Sequence, residues 1–379
     1  MTTASSSAPA RKKGFGLQEG GLLIVILVLG VCLAIFGGKV KRPVLERDAQ
    51  GQLQPKFVES ASGDRELVME EVNKFLNADT LTQLAKDTSF IAIMAVGATL
   101  VIISGGIDLS VGSIYALASV LGAMVFSRYG PDGVAAASPI VGVLLGSGVC
   151  VGSATICGLL NGGMITALRV HPFIITLGTM AIYRGIAFVV TKGQSIGGFP
   201  TQFRELVRHE VGPGLMLVPL VVTAIVTLLG AIYLARLASG RRVYAVGGNE
   251  LAARYSGIRV SRVKLGVYIL AGLSVGIAAL LSLGYYGGAT SADGTGYELN
   301  VIAAAVIGGA SLSGGKGTAL GALLGALIIQ MISTGIVILG IDQSYSQIII
   351  GAVVIIAVLL DQVNNWAGKR RLAAAAANA

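Results

Sequence analysis

Residues 88–127 read TSFIAIMAVGATLVIISGGIDLSVGSIYALASVLGAMVFS, forty residues with one charge, Asp108. Two apolar runs, 88–106 and 110–127, flank the break Ser104-Gly105-Gly106-Ile107-Asp108-Leu109-Ser110. A helix crosses the hydrocarbon of a bilayer with about 20 mostly apolar residues, so each run is long enough to span. A buried helix pair in a soluble domain is the competing reading, and the rest of the chain decides against it.

Working outward, apolar runs recur at 19–37, 139–163, 172–191, 214–236, 265–286, 297–313, 317–339 and 345–362. With the first two they make ten. The 379 residues are 54% apolar and 12% charged, with 54 glycines and a mean hydropathy of +0.79. Soluble domains carry about 25% charged residues and about 7% glycine, so there is too little polar surface to coat a soluble globule. Glycine without a G-X-Y period excludes collagen and suits helices that touch closely in lipid. The expected fold class is all-α: a polytopic membrane protein of about ten transmembrane helices, several broken or glycine-rich. Arg11, Lys12 and Lys13 before the first run resemble a signal peptide. Gly37-Gly38-Lys39 offers no small-x-small cleavage site, so retention as a span is expected.

Lys and Arg set the orientation. With the N-terminus inside, the cytoplasmic segments hold 15 bases, seven of them between Arg236 and Lys264, and the short external loops hold four. The expected organisation is a cytoplasmic tail 1–18, a first helix 19–37, an external segment 38–87, a transmembrane domain 88–362 containing a cytoplasmic loop 237–264, and a cytoplasmic tail 363–379. The net charge of +9 is a topology signal, not a nucleic-acid footprint. Cys32, Cys150 and Cys157 lie in apolar runs, and with two histidines they give no metal-ligand spacing. Neither metal nor cofactor is expected. GASLSGGKGT at 309–318 imitates a phosphate loop but fails the spacing and lacks Ser or Thr after Lys316. The chain is not expected to be an enzyme: paired carboxylates are lacking, and His171 and His209 are isolated.

Glycine pairs at four-residue spacing occur at Gly142/Gly146, Gly148/Gly152, Gly158/Gly162, Gly272/Gly276 and Gly317/Gly321/Gly325. Several would arise by chance; the triple, backed by Ala322 and Ala326, is the expected packing face. Gly-Gly-x-x-Leu-Ser occurs at 105–110 and again at 308–313, which hints at two related halves of the kind found in transporters.

Asp108 has two readings, a gate at membrane depth or a helix cap shared with Ser110. Arg184, inside the fifth span, is either a pathway residue or one that reaches the interface by its stem. In the basic loop, Gly247-Gly248 breaks the chain, Asn249 caps, and Glu250-Leu251-Ala252-Ala253-Arg254-Tyr255 forms a short helix ended by Gly257. So short a helix needs a surface to dock on. Asp293, Gly294, Gly296 and Glu298 are expected at an external mouth. Within 38–87, Asp64 would cap an amphipathic helix carrying Val68, Met69, Val72, Phe75 and Leu76.

Gly106-Ile107-Asp108-Leu109-Ser110-Val111-Gly112-Ser113, Asn161-Gly162, Tyr183-Arg184-Gly185, Gly247-Gly248-Asn249-Glu250-x-Ala252-Ala253-Arg254-x-Ser256-Gly257-Ile258 and Gly296-Tyr297-Glu298-Leu299 resemble the membrane subunit of the ribose-type ABC sugar importers. The resemblance runs from about 85 to 362; the long external segment departs from it. It implies a pathway subunit in the inner membrane, working with a second permease, homologous or identical, a cytoplasmic ATPase and an external sugar-binding protein. It also implies that Gly248–Gly257, with Ser256, is the coupling helix seated in the ATPase, and that Asp108, Ser110, Asn161 and Arg184 are pathway or gate candidates. A permease for branched-chain amino acids or nucleosides, and a self-sufficient secondary transporter, are the competing functions.

Overall fold

The computed structural model describes residues 17–47, 53–59, 65–211, 214–356 and 358–359. The basic tails around Arg11–Lys13 and 363–379, the cap at Asp64 and the end of the last expected span lie outside them.

Among the described residues, eight helices are long and apolar enough to cross a membrane: α1 (Leu17–Phe36), α2 (Ala78–Ile103), α3 (Val111–Arg128), α4 (Pro139–Leu168), α5 (Pro172–Thr191), α7 (Leu217–Arg236), α10 (Val260–Tyr286) and α12 (Ala319–Ile338). Between them lie the short helices α6 (Thr201–Val207), α8 (Ala238–Gly248), α9 (Glu250–Tyr255) and α11 (Tyr297–Ile307). A further apolar helix, α13 (Gln343–Ile356), follows α12. All-α polytopic architecture is therefore what the chain adopts. The expected second span begins earlier than 88, because Asn77 caps α2 by accepting the Thr80 N–H at 2.9 Å.

Among the described residues, the expected span 297–313 is shorter than a bilayer. The run 297–313 yields only the 11-residue α11, about 16 Å long. The preceding segment, 288–296, supplies the missing depth as irregular backbone. It starts in a two-residue ladder, β7 (Ile196–Gly197) with β8 (Gly288–Ala289), and descends until Gly294 packs against Gly112 in the first turn of α3. Non-helical backbone survives at that depth only where protein or a water-filled cavity lines it.

α2 is the axis of the bundle, wrapped by α7, α10, α11 and α12, and its residues 90–103 are buried throughout. Small residues allow this density. A Cβ on Gly158 would strike the Tyr268 carbonyl, and one on Gly272 would strike that of Ala154, so α4 and α10 meet backbone to backbone. Gly321 and Gly325 admit the carbonyls of Gly308 and Ala304 in the same way, joining α12 to α11. Gly142 and Gly146 receive the rings of Tyr129 and Phe126. Of the spaced pairs, Gly148/Gly152 alone faces open space on both members.

The expected amphipathic helix within 38–87 is not formed. Its residues enter a β arm of three antiparallel ladders: β1 (Lys39–Pro43) with β6 (Met69–Asn73), β2 (Leu45–Arg47) with β3 (Leu53–Pro55), and β4 (Phe57–Glu59) with β5 (Arg65–Leu67). Their junctions close a ring of three backbone hydrogen bonds: Val44 N–H to Val68, Lys56 N–H to Val44, and Val68 N–H to Lys56, at 2.8–2.9 Å. Apolar residues at three- and four-residue spacing over so short a run do not separate helix from strand. The distant partner decides: the register sets Lys41 opposite Glu71 and Arg42 opposite Glu70, favourable cross-strand pairs. Phe75 then anchors the arm in a cluster with Leu33, Leu84, Met331 and Ile338.

Candidate functional site

Three groupings of polar residues sit in or against the bundle. The first surrounds the break between α2 and α3. α2 ends with the hydrogen-bond pair Gly105 N–H to Ile102 and Gly106 N–H to Val101, with Gly105 at φ +80°. This Schellman stop needs a left-handed residue, which glycine adopts without a Cβ clash. α11 ends in the same way: the Gly309 N–H bonds the Val306 carbonyl, the Ala310 N–H bonds that of Ala305, and Gly309 has φ +94°. The two stops lie at one end of the bundle and touch, since Ile102 packs with Ala305 and Ala310 in one buried cluster, and the Gly315 N–H beyond the second stop bonds the Ile103 carbonyl at 2.8 Å. The recurring sequence motif thus marks a recurring turn, displaced by one residue from the letter match.

Beyond this stop the chain turns back into the bundle. Asp108 Oδ1 accepts the Ser110 N–H at 2.9 Å and the Ser110 hydroxyl at 2.6 Å. Asn161 on α4 donates to Ser110 Oγ at 2.7 Å, and the Tyr183 hydroxyl on α5 donates to Asn161 Oδ1 at 3.2 Å. The Tyr268 hydroxyl on α10 donates to the Ile107 carbonyl at 3.1 Å. Asp108, Ser110 and Asn161 are all buried, so each polar group must be satisfied inside the protein. The network ties three helices, α4, α5 and α10, to one non-helical turn. Tyr268 belongs to it without having been singled out in the sequence, and Tyr183 is quoted there without a role; a tyrosine in an apolar helix gives no local sign of where its hydroxyl goes.

Arg184 is not part of this network. Its Nη1 donates to the carbonyls of Ser291 and Asp293 at 2.7 and 2.6 Å. It therefore joins the residues expected at a mouth. Asp293 accepts the Thr290 N–H and hydroxyl at 2.9 and 2.7 Å, Gly294 packs against Gly112 and Tyr115, Gly296 (φ +83°) precedes α11, and Glu298 lies in its first turn. Tyr297 meets Tyr115 edge-on at 5.3 Å. This segment is not a free rim: Arg184 lies seven residues, about 10 Å, inside the end of α5 and draws the loop in with it.

The third grouping projects from the end where α2 and α11 stop. Contrary to expectation, Gly247-Gly248 does not break the chain; α8 runs through both, and the break comes at Asn249 (φ −158°). Gly247 is small for another reason, since a Cβ there would strike the Ile103 carbonyl. Asn249 Oδ1 caps α9 by accepting the Ala252 N–H at 2.9 Å. Gly257 ends it at φ +82°. Ala253 is buried with Val246 and Val260, whereas Leu251, Ala252, Arg254, Tyr255 and Ser256 face outward.

Glu250 accepts from Lys264 Nζ at 2.7 Å and from Arg254 at 3.2 Å, stapling α9 to α10. The Lys264 hydrogen bond, ahead of the Arg254 charge, holds the Glu250 carboxyl below its ordinary value. A depressed folded-state value means the staple is fully present above the unfolded glutamate value of about 4.3 and is lost as pH falls through the lower folded one. Amide protection factors across 250–257, taken relative to the intrinsic exchange rate at each pH, should fall on acidification into that range. Glu250→Gln should show the lower protection already at neutral pH and flatten its pH dependence.

Comparison with known proteins follows the same outline. The family described as "Branched-chain amino acid transport system / permease component" matches residues 80–358. The chain belongs to this permease family. Among its relatives are the ribose import permease protein RbsC of Bacillus subtilis (strain 168), 39% identical over 76% of this chain and 86% of that one, and the D-allose transport system permease protein AlsC of Escherichia coli (strain K12), 37% identical over 76% and 85%. The fructose import permease protein FrcC of Rhizobium meliloti is 33% identical over 76% and 79%. No solved structure matches the permease. The family match begins at residue 80, so α1 and the β arm lie outside it.

Proposed function

We propose that this permease is the pathway subunit of an ATP-binding cassette importer for a monosaccharide, delivered by an external binding protein and driven by a separate ATPase. The observation that carries the reading is its likeness, over three quarters of its length, to permeases named for ribose, allose and fructose import. The bundle supplies what such a subunit needs: an outward-facing capped helix, α9, on the basic end, and a buried, glycine-lined break in the membrane domain. The basic end, with Arg241, Arg242, Arg254, Arg259, Arg262 and Lys264, is the cytoplasmic one, and the β arm lies outside. Both termini are then cytoplasmic. Asp108, Ser110 and Asn161 hold the α2–α3 turn as a structural pivot of the pathway, while Arg184 fixes the mouth segment. A second permease copy or homologue completes the path.

Proteoliposomes carrying the permease with its ATPase and binding protein should accumulate one of labelled D-ribose, D-allose or D-fructose only when ATP is enclosed on the α9 side. Accumulation of L-leucine in place of every sugar would move the chain to amino-acid import. Uptake driven by an ion gradient without ATP would end the ATPase-dependent reading.

A further inference from the structure

Between α2, α12 and the start of α13, on the arm side, lies a cavity of about 510 Å³. Its wall carries Gln83 and Asp87 from α2, Gln330, Ser333 and Thr334 from α12, and Gln343 from α13. Gln330 is eight residues, about 12 Å, below the end of α12, and Asp87 is about 13 Å below the start of α2. Polar side chains at such depth face a water-filled space or one another, not lipid. Those on α12 fall at 330, 333 and 334, one stripe of the helix, next to the apolar stripe Met331, Gly335 and Ile338 that packs α12 on α1 and the arm.

The charges of this cavity cancel. Asp87 Oδ1 is 3.0 Å from Lys86 Nζ, and its Oδ2 accepts from Gln83 at 3.0 Å. Lys86 is 2% exposed, and its ammonium sits 3.8 Å over the Tyr285 ring, a cation–π contact that keeps it behind Asp87 and out of the cavity. At the rim, Arg42 of β1 pairs with Asp79 of α2. A phosphorylated ligand would meet two carboxylates with their cations already engaged. An amino-acid zwitterion would find no spare charge of either sign, and its side chain only Val337 and Ile338 as apolar lining. An uncharged polyol needs donors and acceptors alone. The amides of Gln330 and Gln343 supply both, Thr334 supplies a hydroxyl, and Ser333, whose hydroxyl donates to Ile329 at 3.1 Å, keeps its lone pairs. The volume falls within the range of small-molecule sites.

We propose that this cavity is an outward-facing binding site for a neutral monosaccharide, walled by Gln330, Ser333, Thr334, Gln343 and Asp87 and rimmed by Arg42 of the β arm. The proposal rests on the sugar-import reading above and gives it a place in the fold. The arm acquires a role as well, because a segment outside the family match contributes one side of the entrance.

The test uses the full transporter in proteoliposomes, with Cys32, Cys150 and Cys157 replaced and a single cysteine introduced as Thr334→Cys or Gln343→Cys. Lys56→Cys on the arm is the control. An impermeant methanethiosulfonate reagent is added from the arm side, with D-ribose, D-allose, D-fructose, ribose 5-phosphate or L-leucine, and sugar uptake is measured in parallel. At least one sugar should slow labelling of both cavity cysteines and leave Lys56→Cys unaffected, while ribose 5-phosphate and L-leucine give no protection. Adding Gln330→Ala or Ser333→Ala should raise the half-protecting sugar concentration about fivefold, the effect of one lost hydrogen bond. Sugar uptake with no protection at either position would overturn the site and leave the importer reading standing. Protection by ribose 5-phosphate or L-leucine would overturn its chemistry, and labelling of Lys56→Cys alone would show that the cavity is closed and overturn the site likewise. L-leucine uptake in place of any sugar would remove the importer reading, and this site with it.

Discussion

Replacing Leu251 and Tyr255 together by alanine should weaken ATPase association by about a hundredfold or more. The two residues are 59% and 82% exposed and stand at i and i+4 on α9, one turn apart on the same face. Large apolar side chains held outward on a capped helix have a docking partner as their most direct explanation, and an ABC permease has an ATPase to receive them. Burying each contributes about 1.5–3 kcal/mol, and tyrosine is over-represented among residues that dominate interfaces. The loss of about 3 kcal/mol corresponds to more than a hundredfold in affinity. The cap at Asn249 and the Glu250–Lys264 staple are untouched, so α9 itself should persist. Ala253 is the wrong target: it is 4% exposed against Val246 and Val260, and a charge there would disturb the fold before it reported on docking. The measurement is co-purification of the ATPase at matched permease levels, with circular dichroism confirming unchanged helix content. Wild-type retention of the ATPase by the double variant would place the coupling surface elsewhere.

The membrane class and the basic loop were legible because both rest on local signals, apolar run length and a capping pattern. Asn249 caps α9 as its residue type suggests, and the break at 104–110 stands where the glycines lie. What escaped is non-local. Gly158 and Gly272 have the same four-residue companions that chance provides, and only their opposition across α4 and α10 shows them to be contacts. Gly247 signals close approach where a break was expected, because a sequence does not say whether glycine is chosen for its φ or for its missing Cβ. The β arm did leave a trace. Pro43 and Pro55 stand twelve apart, as do Gly51 and Gly63, and so do the ring residues Val44, Lys56 and Val68. A repeat of that length is too short for a solenoid and too regular for an amphipathic helix, and it was the available sign of three ladders. The depth of 288–296 had no such trace, since nothing beside Ser291 or Asp293 in the sequence mentions Arg184.

That depth makes the second large effect. Arg184→Leu should abolish transport while leaving ATPase association intact, since α9 lies at the other end of the bundle. One guanidinium nitrogen satisfies both the Ser291 and the Asp293 carbonyls, about 10 Å inside the end of α5. Two part-buried acceptors left bare cost up to about 1–3 kcal/mol each. The loop would relieve that cost by withdrawing toward the arm side, pulling Gly294 from its seat on Gly112 and unpacking Tyr297 from Tyr115. Ser291 is 8% exposed in the native fold and Thr295 is exposed, so single cysteines at the two positions read the movement. With the three native cysteines replaced, Thr295→Cys should react with an impermeant thiol reagent and Ser291→Cys should not. In the Arg184→Leu background both should react. Arg184→Lys should recover part of the protection: its ammonium can reach one carbonyl well, yet it lacks the planar fork that donates from a fixed position. Equal reactivity of Ser291→Cys with and without Arg184 would mean that the loop is held by its own Thr290–Asp293 turn and the Tyr115–Tyr297 contact, with the arginine serving some other part of the pathway.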